Sequence, residues 1–200
     1  MPDENNPTAW FDPLYAEADE DGTGVPWANM STHPGFDAWL KKKALEGNGK
    51  NALVVGCGMG DDAIELASHG FSVTAFDVSE SAIAHCRRRF PDSTVDFCVA
   101  DLFAPPEAWR RRFDFVLEIY TIQALPPKYE NEVIGRIADF VGKDGQLVTV
   151  AIVSDEERTF DSGPPWALTP EHQAAFVERG LALADHQVLS GESRLSLIHI

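Results

Sequence analysis

Gly56, Gly58 and Gly60 follow one apolar run, and Asp77 closes the next, twenty-one residues after Gly56. Both features lie in "LVVGCGMGDDAIELASHGFSVTAFDVS", residues 53–79. Glycines after a strand permit unusual backbone angles and close approach of a ligand. A carboxylate at the end of the next strand can accept hydrogen bonds from both hydroxyls of a ribose. A dinucleotide fingerprint would place glycine at the sixth position of the loop, so that a pyrophosphate could sit on the helix N-terminus. Asp61 stands there instead, followed by Asp62. Two carboxylates suit the start of a helix but oppose a pyrophosphate. The loop therefore fits a nucleoside ligand without phosphates. A tight turn and a helix cap would account for the glycines and Asp77 singly, but not for their joint spacing.

The elements that must hold these residues alternate. "NALVVGC" reads as a buried strand, "DDAIELASHG" as a helix stopped by Gly70, and "FSVTAFD" as a second strand. "SESAIAHCRRRF" is a helix capped by Ser79 or Ser81. "VDFCVAD" and "FDFVLEIY" are further strands, "YENEVIGRIADFV" a helix and "GQLVTVAIV" a fifth strand. "TPEHQAAFVERG" is predicted as a helix with Thr169 as cap, and "LALADHQVL" as a sixth strand. Alternating strands and helices imply a mostly parallel sheet covered on both faces. Before this run, residues 34–44 predict a short helix with Phe36, Trp39 and Leu40 on one face. Residues 1–33 are rich in Pro, Asp, Glu, Asn and Gly, with isolated aromatics, and are expected to dock on the domain as a lid.

The 200 residues suit one domain. A net charge of −16 disfavours nucleic acid as a partner. The basic triplets at 41–43, 87–89 and 110–112 each fall where a helix would end, which favours a helix-dipole role. Three cysteines without a CxxC pair point to a reducing compartment, and no apolar run would span a bilayer, so a cytoplasmic protein is expected. The six histidines share no metal-ligand spacing and read as surface or helix-end residues; no metal is expected.

Residues 53–79, with "VADLF" and "FDFVLEIYTIQALPP", resemble the successive motifs of class I S-adenosylmethionine-dependent methyltransferases. That resemblance implies a Rossmann-like, doubly wound α/β fold over residues 34–194. It implies a cofactor shell of Gly56, Cys57, Gly58, Gly60, Asp77, Val78, Asp101, Leu102, Phe103 and Glu118, with Asp101 on the adenine amino group and Leu102 and Phe103 flanking the ring. "VPW", "GCGMGDDAIELASHGFSVTAFDVS" and "GPPWALTPEH" are similar to bacterial members of the thiopurine methyltransferase-like superfamily. The Gly163–Trp166 run would then lie beside the acceptor. The aligned Asp-Arg-Gly run of thiopurine methyltransferases is Glu118-Ile119-Tyr120 here, and losing that arginine counts against thiopurine specificity.

Methyl transfer to a small molecule is the activity these features imply, with a thiol, selenol or halide as acceptor. N- or O-methylation of a metabolite is the alternative, as are a nicotinamide-dependent oxidoreductase and a non-catalytic module that keeps the pocket. Candidate acceptor-side residues are Tyr120, Glu118 and Trp166, with Thr121 and Gln123 nearby. Glu118 is expected to contact the donor's amino group rather than act as a base. Cys57 reads as an apolar filler. Trp10, Tyr15, Trp27 and Asn29 supply candidates on the lid, and aromatic faces there can hold a sulfonium by cation–π attraction. A monomer is expected.

The ending "LSLIHI", residues 195–200, resembles one translated frame of a transposon mosaic-end adapter. On that reading the tail is non-native and the final antiparallel strand of the sheet is cut short. The bared sheet edges would then lower solubility.

Overall fold

The computed structural model describes residues 6–154 and 164–189, and the backbone of residues 193–199. Seven strands form one sheet: β1 (Asn51–Val55), β2 (Ser72–Asp77), β3 (Asp96–Val99), β4 (Phe113–Ile119), β5 (Val141–Ile152), β6 (Ala182–Val188) and β7 (Ser193–His199). Their order is β3-β2-β1-β4-β5-β7-β6. The first five run parallel, and β7 lies antiparallel between β5 and β6. The helices are α1 (Phe11–Ala16), α2 (Pro34–Lys43), α3 (Asp61–Ser68), α4 (Glu80–Arg89), α5 (Glu130–Phe140) and α6 (Glu171–Glu178).

Alternation along the central strands divides the core in two. Leu53, Val116 and Leu147 point to one face and pack with Ile137 and Phe140 of α5 and Phe176 of α6. Val54, Phe115 and Leu117 point to the other, against Phe36, Trp39 and Leu40 of α2, Leu66 of α3 and Ile83 of α4. A period of two along each strand, buried on both sides, is what a parallel sheet covered by helices requires. A third cluster joins the N-terminal segment to the glycine loop: Tyr15 and Val25 pack with Met59 and Ala82.

The structure corrects several expectations. The antiparallel strand expected to be cut short is present: Ser193–His199 pair with Gln146–Ile152 of β5 on one side and with β6 on the other. The bare sheet edge on which lower solubility was expected is therefore filled. Thr169 is not a side-chain cap; α6 begins one residue past Pro170, and only the Thr169 carbonyl serves the first turn, accepting from the His172 amide. Arg110–Arg112 follow a three-residue 3₁₀ turn, Glu107–Trp109, rather than a full helix. His85 is buried in the middle of α4, at neither a surface nor a helix end, whereas His172 is buried but stands in the first turn of α6. Among the described residues no helix is long and apolar enough to cross a membrane, and no group of His, Cys, Asp and Glu could hold a metal ion.

Candidate functional site

A cavity of about 630 Å³ opens at the carboxyl ends of β1, β2 and β4, where the strand order reverses. Its floor is the glycine loop. Gly56 and Gly58 both take left-handed backbone angles, with φ of 60° and 51°. A Cβ on Gly56 would lie 2.6 Å from Thr121 Oγ1, and one on Gly58 would lie 2.8 Å from the Tyr15 hydroxyl. Both positions therefore need glycine for conformation and for room. Gly60 ends the loop as the N-cap of α3.

Asp77 stands at the end of β2 and faces the cavity. Its Oδ2 accepts from the Gly58 amide at 3.0 Å and its Oδ1 from the Ser79 amide at 3.0 Å. Burial pushes its pKa up, against those amide contacts. Each carboxylate oxygen can accept more than one hydrogen bond, so room is left for ligand hydroxyls. Cys57 also lines the cavity; its hydrogen bond with Cys86 and its burial hold the thiol well above its usual pKa, so it is a neutral group.

The loop is braced from outside. Arg89, in the last turn of α4, forks onto both oxygens of Asp61 at 2.8 Å and also donates to the Met59 carbonyl. A tie across the loop is thus added to any dipole role of that arginine. Asp62 turns the other way: its Oδ1 accepts from the His33 amide at 2.8 Å, and burial raises its pKa to about 6.

The N-terminal segment forms the opposite wall. Trp10 stacks on Phe11 at 4.2 Å, and both meet the Trp27 ring edge-on. Trp27 Nε1 donates to the Tyr15 hydroxyl at 2.9 Å. Trp10, Trp27 and Asn29 line the cavity, with Tyr15 above Gly58. Asp12 fastens α1 to α4, accepting from the Ser79 hydroxyl at 2.8 Å and the Ser81 amide at 2.9 Å. Ser79 in turn caps α4 by accepting from the Ala82 amide.

Tyr120, just past β4, has a left-handed φ of 60°, donates its amide to the Val150 carbonyl and lines the cavity. Its hydroxyl lies 3.1 Å from His33 Nε2. Glu118 is buried and does not reach the cavity wall. Its Oε1 accepts from the Thr121 and Ile122 amides at 2.6 and 3.1 Å, and its Oε2 has no hydrogen-bond partner among the described residues. Burial raises its pKa to about 7.

The sequence candidates therefore separate. Trp27, Gly56, Cys57, Gly58, Gly60, Asp77, Val78, Leu102 and Tyr120 all line one cavity. Asp101, Phe103, Glu118 and Trp166 lie outside its lining. Asp101 instead accepts from the Phe103 amide at 2.8 Å, and Phe103 packs edge-on against Tyr129. Trp166 ties its amide to the Gln123 carbonyl, while Pro164 and Pro165 of the same run line the cavity. Gly163 lies outside the described residues. The reading missed His33, Asp62 and Met30 as cavity residues. His33 stands just before a predicted helix, a position that signals a cap but not a cavity.

Among the described residues the cavity is lined by Asp61, Asp62 and Asp77 and by no lysine or arginine. Such a wall favours a ligand that brings positive charge and hydroxyl groups. It opposes a pyrophosphate, which would meet those carboxylates at the start of α3. A nucleoside sulfonium thus fits the residues present: Asp77 toward the ribose, the glycine loop against the amino-acid end, and aromatic faces for the cation.

Residues 52–145 match the family model of a methyltransferase domain. The chain is 26% identical over 152 residues to an Arabidopsis thaliana protein called "Probable thiol methyltransferase 2", covering 72% of this chain and 65% of that one. It thus spans just under two thirds of that relative. A structure solved in work on conversion of a disulfide bond into a thioacetal group during echinomycin biosynthesis superposes with a TM-score of 0.75 at 19% identity, covering 96% of this chain and 91% of the other. The magnesium protoporphyrin IX methyltransferase of Synechocystis PCC 6803, solved with bound S-adenosylhomocysteine, gives 0.68 at 17% identity, with coverages of 82% and 80%. The fold is that of the class I methyltransferases, doubly wound with a central parallel sheet.

Proposed function

We propose that this class I methyltransferase domain binds S-adenosylmethionine in the cavity over the glycine loop and methylates a small, soft nucleophile, a thiol first among the choices. The observation that carries the reading is the pairing of Asp77 with the Gly58 amide at the cavity floor, beneath an aromatic wall. When bound, S-adenosylmethionine supplies a sulfonium-activated methyl group, which passes to the acceptor atom as its carbon–sulfur bond breaks and the acceptor's proton leaves to solvent. The protein's task is alignment and exclusion of water. Asp77 holds the ribose, Gly56 and Gly58 admit the amino-acid end, and Leu102 lies along the base. Trp10, Trp27 and Tyr15 close the cavity from the N-terminal side and keep water out.

Thiol specificity is supported by the similarity to the Arabidopsis protein. We also infer the narrower kinship with the thiopurine methyltransferase-like superfamily, supported by Pro164 and Pro165 beside the cavity. Residues 1–33 serve as the lid and 34–194 as the transferase domain of a cytoplasmic monomer. Asp101 and Phe103 sit one step behind the wall and shape the adenine end through Ala100 and Leu102. Glu118 acts from beneath by holding the turn that carries Tyr120 and Thr121. Trp166 anchors the Pro164–Pro165 edge.

Calorimetry with S-adenosylmethionine and S-adenosylhomocysteine on wild type and Asp77→Ala is the direct test. Micromolar affinity lost by about a hundredfold in the variant is expected, the scale of two hydrogen bonds to a charged group. Wild-type binding of a nicotinamide dinucleotide in place of both would overturn the reading. Turnover with thiophenol, hydrosulfide, iodide and an amine then ranks the acceptors.

A further inference from the structure

Resting on the methyl-transfer reading, we propose that His33 is a positioning residue that fixes the Tyr120 hydroxyl at the acceptor side of the cavity. His33 is the N-cap of α2: its Nδ1 accepts from the Phe36 amide at 3.4 Å. That contact uses the Nδ1 lone pair, so a neutral ring carries its proton on Nε2. Nε2–H then donates to the Tyr120 oxygen at 3.1 Å. The rings also meet edge-on, with centroids 5.4 Å apart. Burial lowers the pKa of His33, which keeps the ring neutral and the tautomer set.

Both partners are held by their backbones. Asp62 grips the His33 amide at 2.8 Å, and Tyr120 is tied to Val150 of β5 in a left-handed conformation that a tyrosine adopts at a cost. Strain of this kind persists only where surrounding contacts over-determine it. The result is a phenol oxygen whose direction is set by His33, in a cavity that both residues line together with Gln123 and Pro164. Tyr120 and Gln123 follow β4 and Pro164 lies beyond β5, whereas His33 precedes α2 and is held by Asp62 at the start of α3. In this proposal His33 acts on the acceptor through Tyr120, and its hydrogen-bond partners Asp62, Phe36 and Tyr120 are not among the residues given to the cofactor.

Asn is a good helix N-cap but is too short to reach Tyr120, so His33→Asn separates the cap from the positioning role. The experiment compares wild type, His33→Asn, Tyr120→Phe and the double variant, using thiophenol as acceptor. Expected for His33→Asn are S-adenosylhomocysteine affinity within about twofold of wild type and kcat lower by about five- to tenfold, the scale of one neutral hydrogen bond. The double variant should be no slower than Tyr120→Phe alone. Unchanged kcat in His33→Asn, or losses that multiply in the double variant, would overturn the proposal. A second arm needs no turnover: long-range nitrogen–proton NMR of the His33 ring in the S-adenosylhomocysteine complex. A neutral Nε2–H tautomer that shifts when thiophenol is added, and does not shift in Tyr120→Phe, is the expected result. An Nδ1–H tautomer, or no shift in wild type, would also overturn it. Absent turnover with normal cofactor binding and the expected NMR response would count against the acceptor choice alone.

Discussion

Glu118 shows how one buried atom can report on a whole site. Its carboxylate caps the turn after β4 with one oxygen and leaves the other buried without a partner among the described residues. Burial is the leading cause of its pKa rising from 4.5 to about 7, and the two amide contacts oppose it. A raised folded pKa means stability that is fully present below the unfolded value and is lost as pH climbs through the folded one. Wild type should therefore lose stability between about pH 5 and 8 by this route. Glu118→Gln keeps the cap oxygen and removes the charge. Relative to wild type it should gain about 2 kcal/mol on going from pH 5.5 to pH 8, measured by urea unfolding at both values. A difference independent of pH would mean that Glu118 is not the titrating group. Asp62, with a pKa of about 6, titrates equally in both proteins and cancels.

At the scale of elements, the contact that decides whether the N-terminal segment is a lid is the clip between α1 and α4. Asp12 reaches two groups at the start of α4, and those bonds, the Ser81 amide first, hold its pKa down. Asp12→Ala should loosen α1 and weaken S-adenosylhomocysteine binding about three- to tenfold, with the melting temperature shifting by only about 2–4 °C. Unchanged affinity would reduce α1 to ordinary packing. Nothing local announces this clip. The strands, the Ser79 cap and the apolar face of α2 are written in neighbouring residues, because periodicity and caps are local physics. Asp12 and Ser79 stand 67 positions apart, and His33 and Tyr120 stand 87 apart. Such pairs meet only because the sheet order brings the ends of β2 and β4 beside the N-terminal segment and the start of α2. His33 was legible as a helix-end residue, and that half was right; its second bond depends on tertiary placement. Thr169 looked like a cap by type and spacing, yet its side chain makes no cap bond to α6.

For the molecule as a whole, the site's location follows from topology: β1 and β4 run side by side with their crossovers leaving in opposite directions, which opens the crevice where the glycine loop and Tyr120 lie. The far side of the sheet depends on β7. Among the described residues this strand is the sole partner of β6, and it covers β5 from Gln146 to Ile152. Whatever the origin of the tail, the backbone of Leu195–His199 supplies most of that strand. Ending the chain at Arg194 would leave Gln146–Val150 without an antiparallel neighbour, and β6 with a partner only at Val188. Unpaired strand edges cost hydrogen bonds and invite association between chains. The shortened chain should melt about 10 °C or more below the 200-residue protein and elute partly as higher oligomers in size-exclusion chromatography. Replacing residues 195–200 with an unrelated strand-forming sequence of alternating Val and Thr should restore the melting temperature, because backbone pairing is the larger part of what the segment supplies. Recovery by a Gly-Ser tail of equal length would show instead that the pairing is dispensable.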